Sequence, residues 1–440
     1  MNIIVIDCGA SFLKGAKLDG TTGEIIKQVQ KSSPTVHRDE PITDTVQIDA
    51  LSSAIIDMIS ELRGEDKEVA FGLSTEMHGF LLAFEDGRAY TDYISWQKEY
   101  GKLKIGEKSA FEQLSVPEYA DDIKKSGMPL RAGLPSCNML YLKDTGLLSI
   151  EDNLVFYTLG DYLVKRVFGV EICIHPTNAA ASGLMDITSG KWNHRLFQKV
   201  ATDKIRLPEI GETSTICEYQ GCLFHLFPAL GDQQAALYGA GIREKDSLSF
   251  NLGTGAQTSV IVDGAELSEG MQTRPYIDGK YLRTIPHLPS GRALNVYVRF
   301  LEDVLDRFGL NPDSNDIWDV MLKAASEDSE HSLECDMSFF ENPITDHTCG
   351  KISEIGEYGL TLNNLMGSIF DQMIANFLWA AERVQPDKTK VTKLIFSGGI
   401  ARRIKPIRDG IIKAYDGIDV EIAENETQSG VYAYIKKELK

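Results

Sequence analysis

The chain is poor in positive charge, in paired cysteines and in long apolar runs, and each shortage argues against a class of protein. Lys and Arg number 45 against 64 Asp and Glu, a formal net charge of −19. So acidic a balance argues against nucleic acid or an anionic membrane as the main partner, because both are polyanions held by clustered cations. It leaves room for a small anionic ligand, which needs only local positive potential. No run approaches the ~20 apolar residues that cross a bilayer. The first segment is strand-like with Asp7 inside it, which does not fit a secretory leader. The seven cysteines (Cys8, Cys137, Cys173, Cys217, Cys222, Cys335 and Cys349) contain no C-x-x-C pair. Zinc and redox motifs are therefore missing, as is the spacing that bridges an iron–sulfur cluster. Odd in number and scattered through apolar contexts, they read as reduced thiols of a cytoplasmic protein. Low-complexity tracts and short-period repeats are lacking too.

What is present is an ordinary globular composition, 43% hydrophobic and 25% charged, over 440 residues. That length exceeds one compact core and predicts two domains. NIIVID reads as a strand, with KGAKLD and EIIKQVQK as short strands across the turn GTTG. DALSSAIIDMISELRG has helical spacing and stops at Gly64, and EVAFGLS is a further strand. The opening therefore reads β-β-β-α-β, a mixed α/β unit. NMLYLKDTGLL and LGDYLVKRVFG predict helices, and the stretch 175–195 reads as irregular, surface-accessible chain. A second strand-rich unit begins near residue 228, with SLSFNLGTGAQTSVIVDG at its centre, and the last third is mostly helical. RRIKPIRDGIIKAYDG reads there as one helix. The expected domains are 1–228 and 229–440.

Two stretches look like one device built twice. Asp7-Cys8-Gly9-Ala10-Ser11 and Asn251-Leu252-Gly253-Thr254-Gly255 each follow an apolar strand and precede another. Hairpins with such small turn residues let successive backbone N–H groups converge on one spot, an anion cradle. Two of them facing each other would clasp a chain of phosphates. Lys14 adds a positive charge after the first turn. Asp7 repels phosphate, so its place makes sense if it holds a divalent cation, usually through water, against those phosphates. One such turn is a weak signal; two in corresponding positions, with Ser-Gly-Gly after a third strand, carry far more.

At these residues the chain resembles the actin, sugar-kinase and heat-shock ATPase superfamily. Within it, the sequence is similar to the FGGY carbohydrate kinases, nearly end to end. The segments that carry the likeness are IDCGAS (6–11), STEMHG (74–79), ISWQ (94–97), HPTNAAASG (175–183), GDQQAA (231–236), NLGTGAQ (251–257) and FSGGIAR (396–402). The most similar branch is that of the sedoheptulokinases, followed by xylulose and other ketose kinases.

The resemblance implies two ribonuclease-H-like domains of the actin-like ATPase type, each a mixed sheet flanked by helices, with a cleft between. It implies ATP and Mg2+ as cofactors, a small-molecule sugar as partner, and no nucleic acid or membrane; it leaves a homodimer open. Asp232 matches the general base that takes the proton of a sugar hydroxyl. Gly9, Ala10, Ser11, Lys14, Gly253, Thr254 and Gly255 match the phosphate clasps. Gly291, Gly398, Gly399 and Ile400 match the nucleotide face, and Asp7 the metal side. Glu76, Met77, His78, Trp96, Gln97 and Asn178 match the sugar side, with Asp232 reaching it.

The departures from the family pattern cluster on that sugar side. Thr75 and Glu76 stand where Gly-Gln is usual, and Lys98 and Tyr100 where an Asp and an Arg are usual. Altered choice among hydroxyls, or a replaced salt bridge between Glu76 and Lys98, both remain open. A core role for His78 and Trp96, and a helix cap for Asp232, are the plainer readings beside the functional ones. A rival from another class is a non-catalytic, filament-forming nucleotide module of the same fold.

Overall fold

Two segments, NIIVIDC and EVAFGLST, are apolar at nearly every position, the pattern of strands covered on both faces. In the computed structural model they lie parallel at the centre of the first sheet, with Asn2 opposite Val69 and Cys8 opposite Thr75. The structure describes residues 1–34, 46–148, 153–253, 255–311, 313–326, 330–415, 417–423 and 426–439.

From one edge to the other the first sheet runs Thr215–Tyr219, Cys222–Leu226, Glu68–Thr75, Asn2–Cys8, Phe12–Leu18 and Ile25–Ser32. The outermost strand, IIKQVQKS, is mostly exposed; its lysines and glutamines suit an edge that must not pair further. The short strand Leu230–Gly231 also joins this sheet, parallel to Glu68–Thr75. Helix Ile48–Arg63 covers one face with Leu51, Ile55, Met58, Ile59 and Leu62.

The second sheet repeats the plan. Its order is Gln272–Pro275, Tyr281–Leu288, Ala256–Val262, Ser247–Leu252, Lys393–Ser397 and Asp419–Ile422. Ser247–Leu252 pairs antiparallel with its hairpin partner and parallel with Lys393–Ser397. Helices Gly291–Arg307, Ser314–Ser326 and Leu362–Val384 supply the core on its outer face, where Met366, Met373 and Phe377 are fully buried. The two sheet-containing domains share one layer. Helices Asp232–Gly239 and Glu426–Glu438 lie in a core that takes Ile3, Val5 and Ala70 from the first sheet and Ile261, Leu282 and Ile395 from the second. Their backbones meet closely: a Cβ at Gly430 would stand 1.8 Å from the Ala235 carbonyl oxygen.

Two local expectations are corrected. The stretch 175–195 is surface chain only in its later part, where residues 188–191 are exposed at a turn; Pro176–Ala181 is a helix, and His175, Thr177, Asn178 and the three alanines are buried. Small side chains let this helix pack under the strand Leu230–Gly231, and the Thr177 hydroxyl accepts from the Gly231 N–H at 3.0 Å. The segment after Ser397 forms two helices, Gly399–Arg403 and Lys405–Lys413. Pro406 has no N–H to continue the first and suits the opening turn of the second.

Among the described residues no helix is long and apolar enough to cross a membrane. All seven cysteines are free thiols.

Candidate active site

Three strand ends fall level with one another. Cys8 lies opposite Thr75, and Thr75 opposite Gly231. The residues that follow, Gly9, Glu76 and Asp232, therefore leave the sheet at the same edge. Gly231 caps helix Asp232–Gly239, whose first residue is the expected base. The Asp232 Oδ1 accepts from the Gln233 N–H at 2.7 Å. Burial pushes its carboxyl up to about 6; the Gln233 N–H draws it back, the charge of Asp7 adds to the rise, and Arg274 opposes it. Glu76 is pushed up to about 7, first by burial and then by Asp232, with Tyr93 and Trp96 beside it pulling the other way. Asp7 rises to about 6 by burial, against the Ser74 hydroxyl and then the charge of Lys14, its partner across the hairpin.

These carboxyls sit in one another's field, a state that a cation relieves. Among the described residues no group of three or more His, Cys, Asp or Glu forms a cage for a metal. Magnesium does not require one: it keeps several waters and takes one or two carboxylates plus phosphate oxygens. Asp7 fits that donor set. Beside it in register is Ser74, whose buried hydroxyl faces the Asp7 carboxyl and steadies its charged form.

The two hairpins have their expected form. In the first, the Gly9 N–H donates to the Phe12 carbonyl at 3.1 Å, and Ala10 and Ser11 are exposed at the tip, with Lys14 exposed on the strand behind. In the second, Asn251 pairs with Gln257 and Leu252 with Ala256. The Gly253 carbonyl accepts from the Gly291 N–H at 3.2 Å, so helix Gly291–Arg307 starts against this turn. Gly255 is exposed; Thr254 lies outside the described residues. Gly398 has φ 89°, and a Cβ there would stand 2.5 Å from the Leu252 carbonyl oxygen. Only glycine lets the strand Lys393–Ser397 turn so close to the hairpin. Gly399 opens the next helix with open space around it, and Ile400 is half-buried. The Gln233 amide donates to the Gln257 side-chain oxygen at 2.8 Å, which ties the helix of Asp232 to the second hairpin.

On the expected sugar side the placements divide. Glu76, Gln97, Tyr93 and Ser95 line a cavity together with Gly9 and Ala10. Trp96 is 50% exposed with its indole beside Glu76. Met77 is buried against Gly231. His78 holds φ 65°, unusual for a residue with a side chain. Its Nδ1 donates to the Ala181 carbonyl at 2.8 Å, so its Nε2 accepts, from the Arg274 Nη1 at 3.1 Å. Asn178 is the exception: its amide donates to the Ala229 carbonyl at 2.8 Å and steadies the approach to Gly231. Tyr93, Arg131, Arg274 and His287 were not singled out by the sequence. Arg274 and His287 stand in RPYIDGKYLRTIPHLPSG, but nothing in that string marks them as facing the cleft.

This geometry can hold phosphates on two glycine turns and present a carboxylate to a neighbouring hydroxyl. The sequence model of the FGGY family of carbohydrate kinases, N-terminal domain, matches residues 2–225, just over half of the chain. Sedoheptulokinase of Mus musculus is 20% identical over 429 residues, spanning 88% of this chain and 85% of that protein. The crystal structure of xylulose kinase from Lactobacillus acidophilus superposes with a TM-score of 0.81 at 17% identity, covering 100% of this chain and 90% of that one. Gluconate kinase from the same organism gives 0.82 at 18% identity, with the same coverage. Likeness to these structures speaks for the fold, two domains of the actin-like ATPase type. With the family match, it places the chain: the protein belongs to the FGGY family of carbohydrate kinases.

Proposed function

We infer that the protein is an ATP-dependent kinase that moves the γ-phosphoryl group of ATP to a hydroxyl of a ketose-type sugar, sedoheptulose-like in size. The observation that carries this reading is the position of Asp232. It opens a helix at the sheet edge where the first glycine hairpin also ends, and Gln233 ties that helix to the second hairpin. The sugar's size class rests on the likeness to mouse sedoheptulokinase over most of both chains.

In this reading residues 1–228 carry the acceptor segments and the first hairpin, and residues 229–440 carry the base, the second hairpin and the adenosine face. Gly9, Ala10, Ser11, Lys14, Gly253, Thr254 and Gly255 cradle the triphosphate; Gly291, Gly398, Gly399 and Ile400 face the nucleoside. Glu76, Met77, His78, Trp96 and Gln97 shape the acceptor pocket, with Trp96 offering an apolar face to the sugar. Asn178 supports it from behind. Asp232 accepts the acceptor hydroxyl's proton while that oxygen bonds to the γ-phosphorus; the bond to the β–γ bridging oxygen breaks and ADP departs. A carboxyl lifted toward neutrality suits this task, because a base works best when its pKa lies near the working pH. Asp7 would hold Mg2+ through water, and the ion would spread the charge of the transferred group. Positioning and charge, with no covalent intermediate, suffice for the transfer. Free thiols suit a cytoplasmic setting.

ADP release measured against a panel of ketoses, pentuloses and polyols tests the reading. Turnover of at least one acceptor is expected, and Asp232→Asn should lower kcat by about 10³-fold with ATP binding retained. Wild-type turnover by that variant, or nucleotide-driven polymers with no acceptor phosphorylated, would overturn it.

A further inference from the structure

Arg274 lies in the field of Asp232, and Arg131 in that of Arg274, two guanidinium groups that the transfer described above does not use. Arg274 is 5% exposed. Its Nε and Nη2 both donate to the Gln272 side-chain oxygen, at 3.0 and 2.6 Å, and its Nη1 donates to the His78 Nε2 at 3.1 Å. Three of its five N–H groups are thus taken, all by neutral acceptors, and one on each terminal nitrogen remains. Arg131 is held in the same manner, its Nη1 donating to the His287 Nε2 at 3.0 Å. Both histidines hold left-handed backbone, φ 65° at His78 and 62° at His287, a conformation that His tolerates better than most residues with a side chain.

The two pairs run in opposite senses. His78 and Arg131 precede the helix of Asp232, whereas Arg274 and His287 come from the second sheet's strands Gln272–Pro275 and Tyr281–Leu288. Among the described residues neither guanidinium makes an ion pair. The carboxylates that act on them, Asp232 on Arg274 and Glu341 on Arg131, do so from beyond ion-pair range. Burial, and then the charge of Arg131, brings Arg274 down to about 9. In a chain of net charge −19, two neighbouring cations without a counter-ion form an isolated positive locus. A carboxylate or phosphate is the ligand that such forked donors match.

We propose that Arg131 and Arg274 form an anion subsite in the acceptor pocket, so that the preferred acceptor is a polyhydroxy chain bearing a carboxylate or phosphate away from the hydroxyl presented to Asp232. This rests on the kinase reading above. It adds the chemical class of acceptor and two residues that select it.

Three acceptors with one six-carbon chain test it: sorbitol, gluconate and sorbitol 6-phosphate. One of the two anions should exceed sorbitol in kcat/KM by about 100-fold, and which one does so identifies the charged group. The preference should shrink as salt rises from about 50 to about 500 mM. Arg274→Gln and Arg131→Gln should each cut the anion-to-neutral ratio by about tenfold or more, and Arg274→Lys should keep part of it. Equal or better use of sorbitol overturns the subsite. So does an equal loss on all three acceptors, which would assign the arginines to the transferred phosphoryl group or to the fold. Calorimetry with the same compounds separates this claim from the kinase reading. Arginine-dependent anion binding with no turnover of these compounds or of the ketose and polyol panel keeps the subsite and sinks the kinase; turnover without anion preference does the reverse.

Discussion

The sulfur of Met77 occupies the space that a side chain on Gly231 would need. A Cβ at Gly231 would stand 2.4 Å from Met77 Sδ and 2.9 Å from Gln234 Oε1. Gly231→Ala must therefore move Met77 or the first turn of the helix that begins with Asp232. A misplacement near 1 Å at the reacting centre costs up to about 10²-fold in rate. The expected outcome is a fall in kcat of that order, with ATP affinity kept because the hairpins are untouched. Steady-state kinetics beside a nucleotide titration would check it.

Gly398 and Gly399 are neighbours with opposite tolerance. A Cβ at Gly398 meets backbone, 2.5 Å from the Leu252 oxygen and 2.7 Å from its carbonyl carbon, at φ 89°. At Gly399 nothing lies within 4 Å. Gly398→Ala should cost about 1–3 kcal/mol of stability and weaken ATP binding. Gly399→Ala should stay within about 0.5 kcal/mol of the parent. Denaturant unfolding of both variants settles the contrast; equal effects would contradict the close approach.

Activity should carry an acid limb. Asp232 must be ionised to accept a proton, and burial holds its carboxyl up at about 6. Thus kcat/KM should fall about tenfold per pH unit below that value and level off above neutrality. A flat profile from pH 5 to 8 under these conditions would separate the chemistry from Asp232.

Stability should move the other way. Asp161, buried inside the capping box of helix Leu159–Phe168, is pushed up to about 7 by burial, and Asp7, Glu76 and Asp232 also rise. For a carboxyl raised on folding, the native state keeps its proton after the unfolded chain has lost it. Stability is then fullest below the unfolded value and declines as pH climbs through the folded one. Urea unfolding at pH 5 and 7.5 should show a decline, with Asp161 accounting for on the order of 3 kcal/mol. Asp161→Asn keeps an oxygen for the Thr158 N–H and should flatten that slope.

Legibility from sequence followed locality. Both hairpins were readable because apolar strands flank small turn residues, and Asp232 stood out in a Gly-Asp-Gln-Gln string. The level alignment of Cys8, Thr75 and Gly231 was not readable, because it depends on pairings between strands more than 60 and 150 residues apart. Asn178 matched a sugar-side segment, yet its amide is engaged by the Ala229 carbonyl, a partner supplied only by tertiary packing. The stretch 175–195 reads as irregular, surface-accessible chain from its Trp, Asn and Pro; alanines at close contacts make Pro176–Ala181 within it a buried helix. Arg131 and Arg274 carried no signal, since an arginine's lack of a carboxylate partner appears only in three dimensions.

Helix Glu426–Glu438 has a consequence for how the protein is made. It covers Ile3, Val5 and Ala70 of the first sheet and braces the helix of Asp232. During translation those strands wait, one face wet, until the ribosome has delivered Glu426–Glu438, more than 350 residues later. Completion of the first sheet's packing is thereby postponed until that helix emerges, an interval in which a nascent chain is open to chaperones and to misassociation. A message cut short upstream of codon 426 would yield inert polypeptide rather than a feeble enzyme.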